Sequence, residues 1–136
     1  MKLAWGKFSL NFSKKTYIMG ILNVTPDSFA DGGLYFDKQS AIQKAYKLAE
    51  EGADIIDIGG ESTRPGADPI SVEEELRRTI PVIEVISKNI KIPISIDTYK
   101  SEVAKRALEV GASMVNDISG LRFDPKMSEV VSEYKV

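Results

Sequence analysis

The sequence contains neither cysteine nor histidine. The absence of cysteine excludes disulfides, thiolate nucleophiles and Cys-ligated zinc. The absence of histidine removes the usual general base, every Ser-His-Asp arrangement and most transition-metal sites. The chemistry that remains belongs to carboxylates, amides, hydroxyls, lysine and arginine. A metal bound by such groups is expected to be a hard cation on oxygen ligands, such as Mg²⁺.

A strong net charge and long apolar runs are also missing. Lys and Arg number 18 against 20 Asp and Glu, so the net charge of −2 gives no electrostatic case for nucleic acid or an anionic membrane. No run approaches the ~20 apolar residues of a membrane span, and residues 1–8 lack the apolar core of a signal peptide. We therefore expect a cytoplasmic protein without nucleic-acid or membrane partners.

The stretch from Asn23 to Gly33 is a long polar loop after an apolar run, residues 17–22, that is typical of a buried strand. It contains an amide, hydroxyls, two carboxylates, a proline and a glycine pair. In parallel α/β proteins the loops at the carboxyl ends of the strands carry the chemistry. A polar loop of this length in this position favours a functional role over a simple turn.

Strand and helix patterns alternate along the rest of the chain. A hairpin is predicted around Gly6. The four predicted strands cover 17–22, 55–58, 94–97 and 114–117. The first predicted helix runs from Asp37 or Ser40 to Gly52, and the second starts at the capping box of Ser71 and Glu74 and has a kink at Pro81. The third carries the apolar residues Val103, Ala104, Ala107 and Leu108 and ends before Gly111, and a last amphipathic segment covers about 125–134.

This alternation predicts parallel strands with right-handed crossovers. A polar residue near each strand end and the absence of a nucleotide-binding glycine motif favour a (β/α)₈ barrel over a doubly wound sheet. A complete barrel needs eight strands and ~250 residues. We therefore expect one domain that is the first half of a barrel, with a hairpin in residues 1–14, four βα units in 15–136, and a truncation at Val136.

The polar strand ends are Asn23, Asp57 or Glu61, Asp97, and Asn116 with Asp117. In a barrel they converge, and their amides and carboxylates suit a planar heterocycle that offers several donors and acceptors. Asp57 lies between isoleucines and is equally consistent with a buried structural acid. For Asp97 and Asn116 a functional role is favoured.

At these residues the sequence resembles the dihydropteroate synthase family. Four motifs carry the resemblance: Asn23-Val24-Thr25-Pro26-Asp27-Ser28-Phe29 with Asp31-Gly32-Gly33; Asp57-Ile58-Gly59-Gly60-Glu61-Ser62-Thr63-Arg64-Pro65-Gly66; Ile94-Ser95-Ile96-Asp97-Thr98; and Asn116-Asp117-Ile118-Ser119-Gly120. The resemblance implies a TIM barrel that joins p-aminobenzoate to 6-hydroxymethyl-7,8-dihydropterin pyrophosphate, giving dihydropteroate and pyrophosphate. It also implies inhibition by sulfonamides, which compete with p-aminobenzoate.

The resemblance further implies roles for single residues. Asn23 would contact Mg²⁺ and the pyrophosphate, and Asp97 and Asn116 would hydrogen-bond the pterin ring beside the apolar side chain of Ile118. Two mobile loops would close over the aminobenzoate, with Phe29 and Asp31 in the first and Thr63 and Arg64 in the second. Asp31 and Arg64 are the expected catalytic residues, with Asp31 balancing positive charge that develops at the pterin methylene.

The family's second half carries a further pterin-binding Asp, a Lys, and a late Arg and His for which these 136 residues have no counterpart. The chain alone is therefore expected to be inactive, and the full-length protein to be a homodimer. Two alternatives stay open: the pterin-binding domain of a folate-dependent methyltransferase, and a non-catalytic half-barrel fragment.

Overall fold

The computed structural model describes residues 1–26 and 37–136. The chain begins with an antiparallel hairpin of strands β1 (Lys2–Trp5) and β2 (Phe8–Asn11), in which Leu3 pairs with Leu10. Gly6 occupies the turn with a φ of +48°, in the left-handed region that glycine adopts without strain. The hairpin predicted around Gly6 is therefore confirmed.

A parallel sheet and the helices that follow its strands make up the rest of the described chain. The sheet has the order β3-β4-β5-β6, with all three neighbouring pairs parallel. Its strands are β3 (Met19–Asn23), β4 (Ile55–Gly59), β5 (Ile94–Asp97) and β6 (Met114–Asn116), and the helices are α1 (Lys38–Glu50), α2 (Val72–Asn89), α3 (Ser101–Glu109) and α4 (Met127–Tyr134).

The two faces of the sheet differ in what covers them. On the side that meets the helices, Leu22, Ile56, Ile58 and Ile96 are fully buried in one apolar core with residues of α1, α2 and α3. On the opposite side of β3 the side chain of Ile21 is exposed. Successive residues of a strand point to opposite faces, so this second face is the concave interior of the half-barrel.

Side-chain caps begin the first two helices of the described chain. Asp37 accepts a hydrogen bond from the backbone N–H of Gln39. Ser71 accepts one from the backbone N–H of Glu74, as the sequence predicts. The carboxylate of Glu74 is bonded to Arg77 and Arg78, so only the serine arm of the expected capping box is formed. Helix α2 continues through Pro81 to Asn89.

Two equivalent turns connect helices to strands. Gly52 (φ +103°) follows α1 and Gly111 (φ +121°) follows α3. After each glycine the next backbone N–H bonds to a carbonyl five residues earlier, Ala53 to Leu48 at 3.0 Å and Ala112 to Ala107 at 2.9 Å. This is the Schellman ending of a helix, so the two turns are built by the same hydrogen bonds.

Candidate active-site cleft

An open cleft of about 720 Å³ lies over the carboxyl ends of the strands. Strand register brings its polar floor together, because Asn23 is paired with Gly59, Gly59 with Asp97, and Asp97 with Asn116. Within the described part of the chain the cleft is lined by Ile21, Asn23, Thr25, Pro26, Asp57, Ser62, Thr63, Arg64, Asp97, Asn116 and Ile118.

Asp57 is a buried acid held by a neighbouring amide. Asp57 is only 2% exposed. Its Oδ2 accepts a hydrogen bond of 3.0 Å from Nδ2 of Asn116. Its Oδ1 is also buried and has no hydrogen-bond partner among the described residues. An unsatisfied buried acceptor is costly, so a donor supplied by a ligand would be favourable there. Asp57 therefore combines a structural bond with a free acceptor at the cleft.

Asp97 lies in an environment that opposes its charge. Burial, together with the negative charges of Asp57, Glu75 and Asp117, raises the pKa of Asp97 to about 6. Such a carboxyl group gains more than an exposed one from donors that approach it, because few solvent molecules compete for its oxygens. Adjacent N–H donors on a planar ring can engage both oxygens of one carboxylate.

The loop after β4 forms one wall of the cleft. Thr63 and Arg64 are exposed and line the cleft on this side. The backbone of the loop is turned back on itself, since the N–H of Ala67 bonds to the carbonyl of Arg64 at 3.1 Å. A guanidinium at the mouth of a cleft whose floor is polar can receive an anionic ligand.

Residues 19–136 match the family described as pterin binding enzyme. The chain belongs to this family. The dihydropteroate synthase of Bacillus subtilis is 55% identical over 128 residues, which is 94% of this chain and 45% of that protein. A structure of dihydropteroate synthase from Clostridium difficile in the presence of pteroic acid has 57% identity and a TM-score of 0.85, and covers 90% of this chain and 47% of that one.

A structure of the Yersinia pestis dihydropteroate synthase in a sulfonamide drug complex also matches. It has 41% identity and a TM-score of 0.88, and covers all of this chain and 49% of that one. The chain therefore spans about half the length of the relatives it matches. The predicted fold is confirmed: a parallel half-barrel preceded by an antiparallel hairpin, with the architecture of pterin binding enzymes.

The residues predicted for catalysis, substrate binding and metal binding can be located only in part, because two of them are not described by the structure. Six predicted residues line the same cleft: Asn23, Thr63, Arg64, Asp97, Asn116 and Ile118. Phe29 and Asp31 lie outside the described residues. Among the residues that are described, no group of three or more acidic side chains could hold a metal ion, and no helix is long and apolar enough to cross a membrane.

Sequence reasoning missed a charged cluster beside the cleft. Nζ of Lys100 lies 2.7 Å from Oε2 of Glu61 and 2.6 Å from Oε2 of Glu75. Glu75 lies in the first turn of α2, where a carboxylate interacts favourably with the helix dipole, but it is only 1% exposed, unlike an ordinary surface acid. A signal was present, because Glu75 is four residues before the buried Thr79 and seven before the buried Val82, which places it on the buried face of α2.

Proposed function

We propose that this chain is the N-terminal half of the catalytic domain of a dihydropteroate synthase, with residues 1–136 belonging to that single domain. The reaction would join p-aminobenzoate to 6-hydroxymethyl-7,8-dihydropterin pyrophosphate. The observation that carries the proposal is the cleft itself. Asn23, Asp97 and Asn116 lie on its floor, and Arg64 lies on one wall. The identity of 55% to a relative of this name supports the assignment.

The pterin ring is assigned to the floor of the cleft. Asp97 accepts hydrogen bonds from the ring N–H and the exocyclic amine, which a two-oxygen acceptor can receive side by side. Asn116 contributes an amide beside it, already oriented by its bond to Asp57. The exposed side chain of Ile118, 65% accessible, offers an apolar surface for the face of the ring.

Pyrophosphate and Mg²⁺ are assigned to Asn23. Mg²⁺ keeps several waters and commonly takes one or two protein oxygens together with substrate phosphates, so it does not require a cage of carboxylates. The exposed amide of Asn23 at the carboxyl end of β3 fits that requirement. When bound, the ion would neutralise charge on the departing pyrophosphate.

The arylamine is assigned to the two loops. Its nitrogen attacks the pterin methylene carbon as the carbon–oxygen bond to pyrophosphate breaks, and the nitrogen then loses a proton to water. Arg64 presents a guanidinium to the anionic substrates, and Thr63 lies next to it on the cleft wall. We assign Phe29 and Asp31 to the first loop, where Asp31 would balance positive charge at the methylene. Sulfonamides carry the same arylamine and would compete for this place.

The activity, partners and location of the whole protein are part of the same proposal. The resemblance attributes further pterin and pyrophosphate contacts to a second half, so we expect the 136-residue chain to bind pterin without turning substrates over. The expected full-length protein is a cytoplasmic homodimer. Both expectations derive from the family resemblance.

Calorimetric titration of the chain with 6-hydroxymethyl-7,8-dihydropterin pyrophosphate tests the proposal. We expect binding that strengthens with Mg²⁺ and weakens at least about tenfold in Asp97→Asn, because a hydrogen bond to a charged group contributes about 1.5–3 kcal/mol. Glu129→Gln, an exposed acid of α4, is the matched control. Pterin binding that ignores pyrophosphate and Mg²⁺ would favour the methyltransferase domain, and no binding would favour a non-catalytic fragment.

A further inference from the structure

We propose that Glu61, Lys100 and Glu75 form a charged clamp that fixes the neck of the loop between β4 and α2 and thereby positions Thr63 and Arg64 over the cleft. This positioning role rests on the proposed function, since it concerns how the arylamine end of the site is held. No part of the clamp lines the cleft. Its members act on the substrate only through the loop.

The neck of the loop is closed by Glu61 at one end and Ile70 at the other. Oε2 of Glu61 accepts a hydrogen bond of 2.8 Å from the backbone N–H of Ile70. Lys100 then joins both ends, because its Nζ donates to Oε2 of Glu61 at 2.7 Å and to the carbonyl of Ile70 at 3.0 Å. Residues 62–69 are therefore a loop whose two ends are tied to each other.

The clamp also ties the neck to α2. The third hydrogen bond from Nζ of Lys100 goes to Glu75, whose side chain is 2% exposed. On the other side of the neck, Nη1 of Arg78 donates to the carbonyl of Gly60 at 2.9 Å. A Cβ atom on Gly60 would lie 2.9 Å from Cγ2 of Thr79, so the backbone here is pressed against the helix. The neck consequently has little freedom to shift relative to the sheet.

The charges within the clamp are mutually stabilised. Burial favours the neutral form of Lys100, but its hydrogen bonds to Glu61 and Glu75 outweigh this and raise the pKa of its ammonium group. Burial likewise opposes the charge of Glu61, yet the hydrogen bond from Lys100 lowers the pKa of that carboxyl. All three hydrogen-bond donors of the ammonium group are used, by Glu61, Glu75 and the carbonyl of Ile70, so the position of this group is fixed by geometry as well as by charge.

The clamp connects the two halves of the cleft. Glu61 precedes Thr63 by two residues, and Lys100 follows Asp97 by three. Thus the strand end that carries the pterin-binding carboxyl and the loop that carries the arginine are joined by one ion pair. A shift of the neck by an ångström would move Arg64 relative to Asp97, and misplacement on that scale is costly for a reaction between two bound substrates.

Glu61→Ala is the decisive variant, because it releases the neck while leaving the buried Glu75–Lys100 pair intact. Glu61→Gln keeps an acceptor for Ile70 and Lys100 and serves as the conservative rescue. Glu84→Ala, which breaks an exposed 3.8 Å pair with Lys88 on the same helix, is the matched control. Hydrogen exchange at the amide of Ile70 reports on the neck. Titrations with the dihydropterin pyrophosphate and, in its presence with Mg²⁺, with p-aminobenzoate report on the two substrate subsites.

In Glu61→Ala we expect exchange at Ile70 to accelerate at least about tenfold, because one hydrogen bond to a charged group is lost. Affinity for p-aminobenzoate should fall by about tenfold or more while affinity for the pterin changes less than about threefold. Glu61→Gln should recover most of both losses, and Glu84→Ala should resemble the wild type.

Unchanged exchange at Ile70, or equal loss of both ligands, would overturn the positioning role. The proposed function is tested separately by the wild-type chain. If that chain bound no pterin, the function would be contradicted, whereas faster exchange at Ile70 in Glu61→Ala would still establish that the clamp holds the neck. A normal arylamine affinity in a variant with a released neck would contradict the role assigned to the clamp.

Discussion

Asp97 illustrates how one residue can be unfavourable for folding and suitable for binding. Its carboxyl is partly buried and is surrounded by the charges of Asp57, Glu75 and Asp117. In the unfolded chain the pKa of this carboxyl would be the usual 3.8, but in the fold its pKa is about 6. The folded state therefore prefers the protonated form, and ionisation of Asp97 costs stability at neutral pH.

Replacing Asp97 with Asn should consequently stabilise the ligand-free chain at neutral pH. The stabilising contribution of the neutral carboxyl is fully present below the unfolded pKa and is lost as pH rises through about 6. We expect Asp97→Asn to gain about 1–2 kcal/mol over wild type in urea unfolding at neutral pH, after discounting for partial exposure, and to lose this gain near pH 4. A variant that is less stable than wild type at neutral pH would contradict this account.

The same carboxyl should make pterin binding depend on pH. The ionised form accepts two hydrogen bonds, whereas the protonated form can accept fewer and carries no charge. We expect affinity for the dihydropterin pyrophosphate to fall as pH drops through about 6. Calorimetry across this range checks the prediction, and Asp97→Asn is the control, because its weaker binding should lack this pH step. If the affinity of Asp97→Asn showed the same change with pH, a group other than Asp97 would be responsible for it.

The sequence predicted the location of some cleft residues better than that of others. The place of Asp97 and Asn116 in the cleft was predictable, because a polar residue at the end of an apolar strand has few packing roles. The ambiguity at Asp57 was real, since the residue is both buried and hydrogen-bonded beside the cleft. Lys100 was not predictable as a clamp residue, because its carboxylate partners lie 39 and 25 positions earlier and only the fold brings them together.

At the scale of elements, the two helix-to-strand turns offer a matched comparison. Gly52 and Gly111 have the same hydrogen bonds and positive φ angles but different surroundings. A Cβ atom on Gly52 would meet nothing within 4 Å, whereas one on Gly111 would lie 2.4 Å from Cβ of Ser87. Ser87 is itself held against this turn, because its hydroxyl donates to the carbonyl of Val110 at 3.0 Å.

Alanine at the two glycines should therefore have unequal effects. Gly52→Ala should lower the free energy of unfolding by about 1–2 kcal/mol, because only the strained backbone angle opposes the substitution. Gly111→Ala adds overlap with α2, so we expect a loss of about 3–5 kcal/mol. Denaturant unfolding of both variants gives the comparison. In the double variant, Ser87→Gly should recover part of the loss at Gly111. Equal losses at the two positions would show that contact with Ser87 is unimportant.

The existence and order of the elements followed from local pattern, while details of their packing did not. Strand ends were displaced by only one or two residues, as for β3, because the apolar runs and flanking turn residues limit each strand. Helix α2 shows the difference. Its apolar residues Ile83 and Ile86 are buried, but Leu76 and Ile80 are half-buried, and the buried face also includes Glu75 and Thr79. Hydrophobicity alone cannot identify a buried acid that is paired with a distant lysine.

At the scale of the whole molecule, the described chain is a sheet that has an open concave face and two outer strands, β3 and β6. The alternation of strand and helix patterns and the polar residues at the strand ends predicted the half-barrel. They could not predict what lies against the concave face. On that face Ile21 is 52% exposed, and beyond the end of β6 Ile118 is 65% exposed. Exposed apolar surface beside unpaired strand edges favours association.

The isolated 136-residue chain should therefore associate in a concentration-dependent manner. We expect sedimentation velocity to show species larger than 15.0 kDa that diminish on dilution over about a hundredfold range. Ile21→Lys should shift the chain towards monomer, because the substitution places a charge on the concave face. Leu3→Lys is the matched control, since Leu3 is similarly exposed at 47% but lies on the hairpin. If both variants weakened association equally, the contact would not lie specifically on the concave face. If the chain were a monomer at every concentration, the exposed apolar surface of the half-barrel would not drive association.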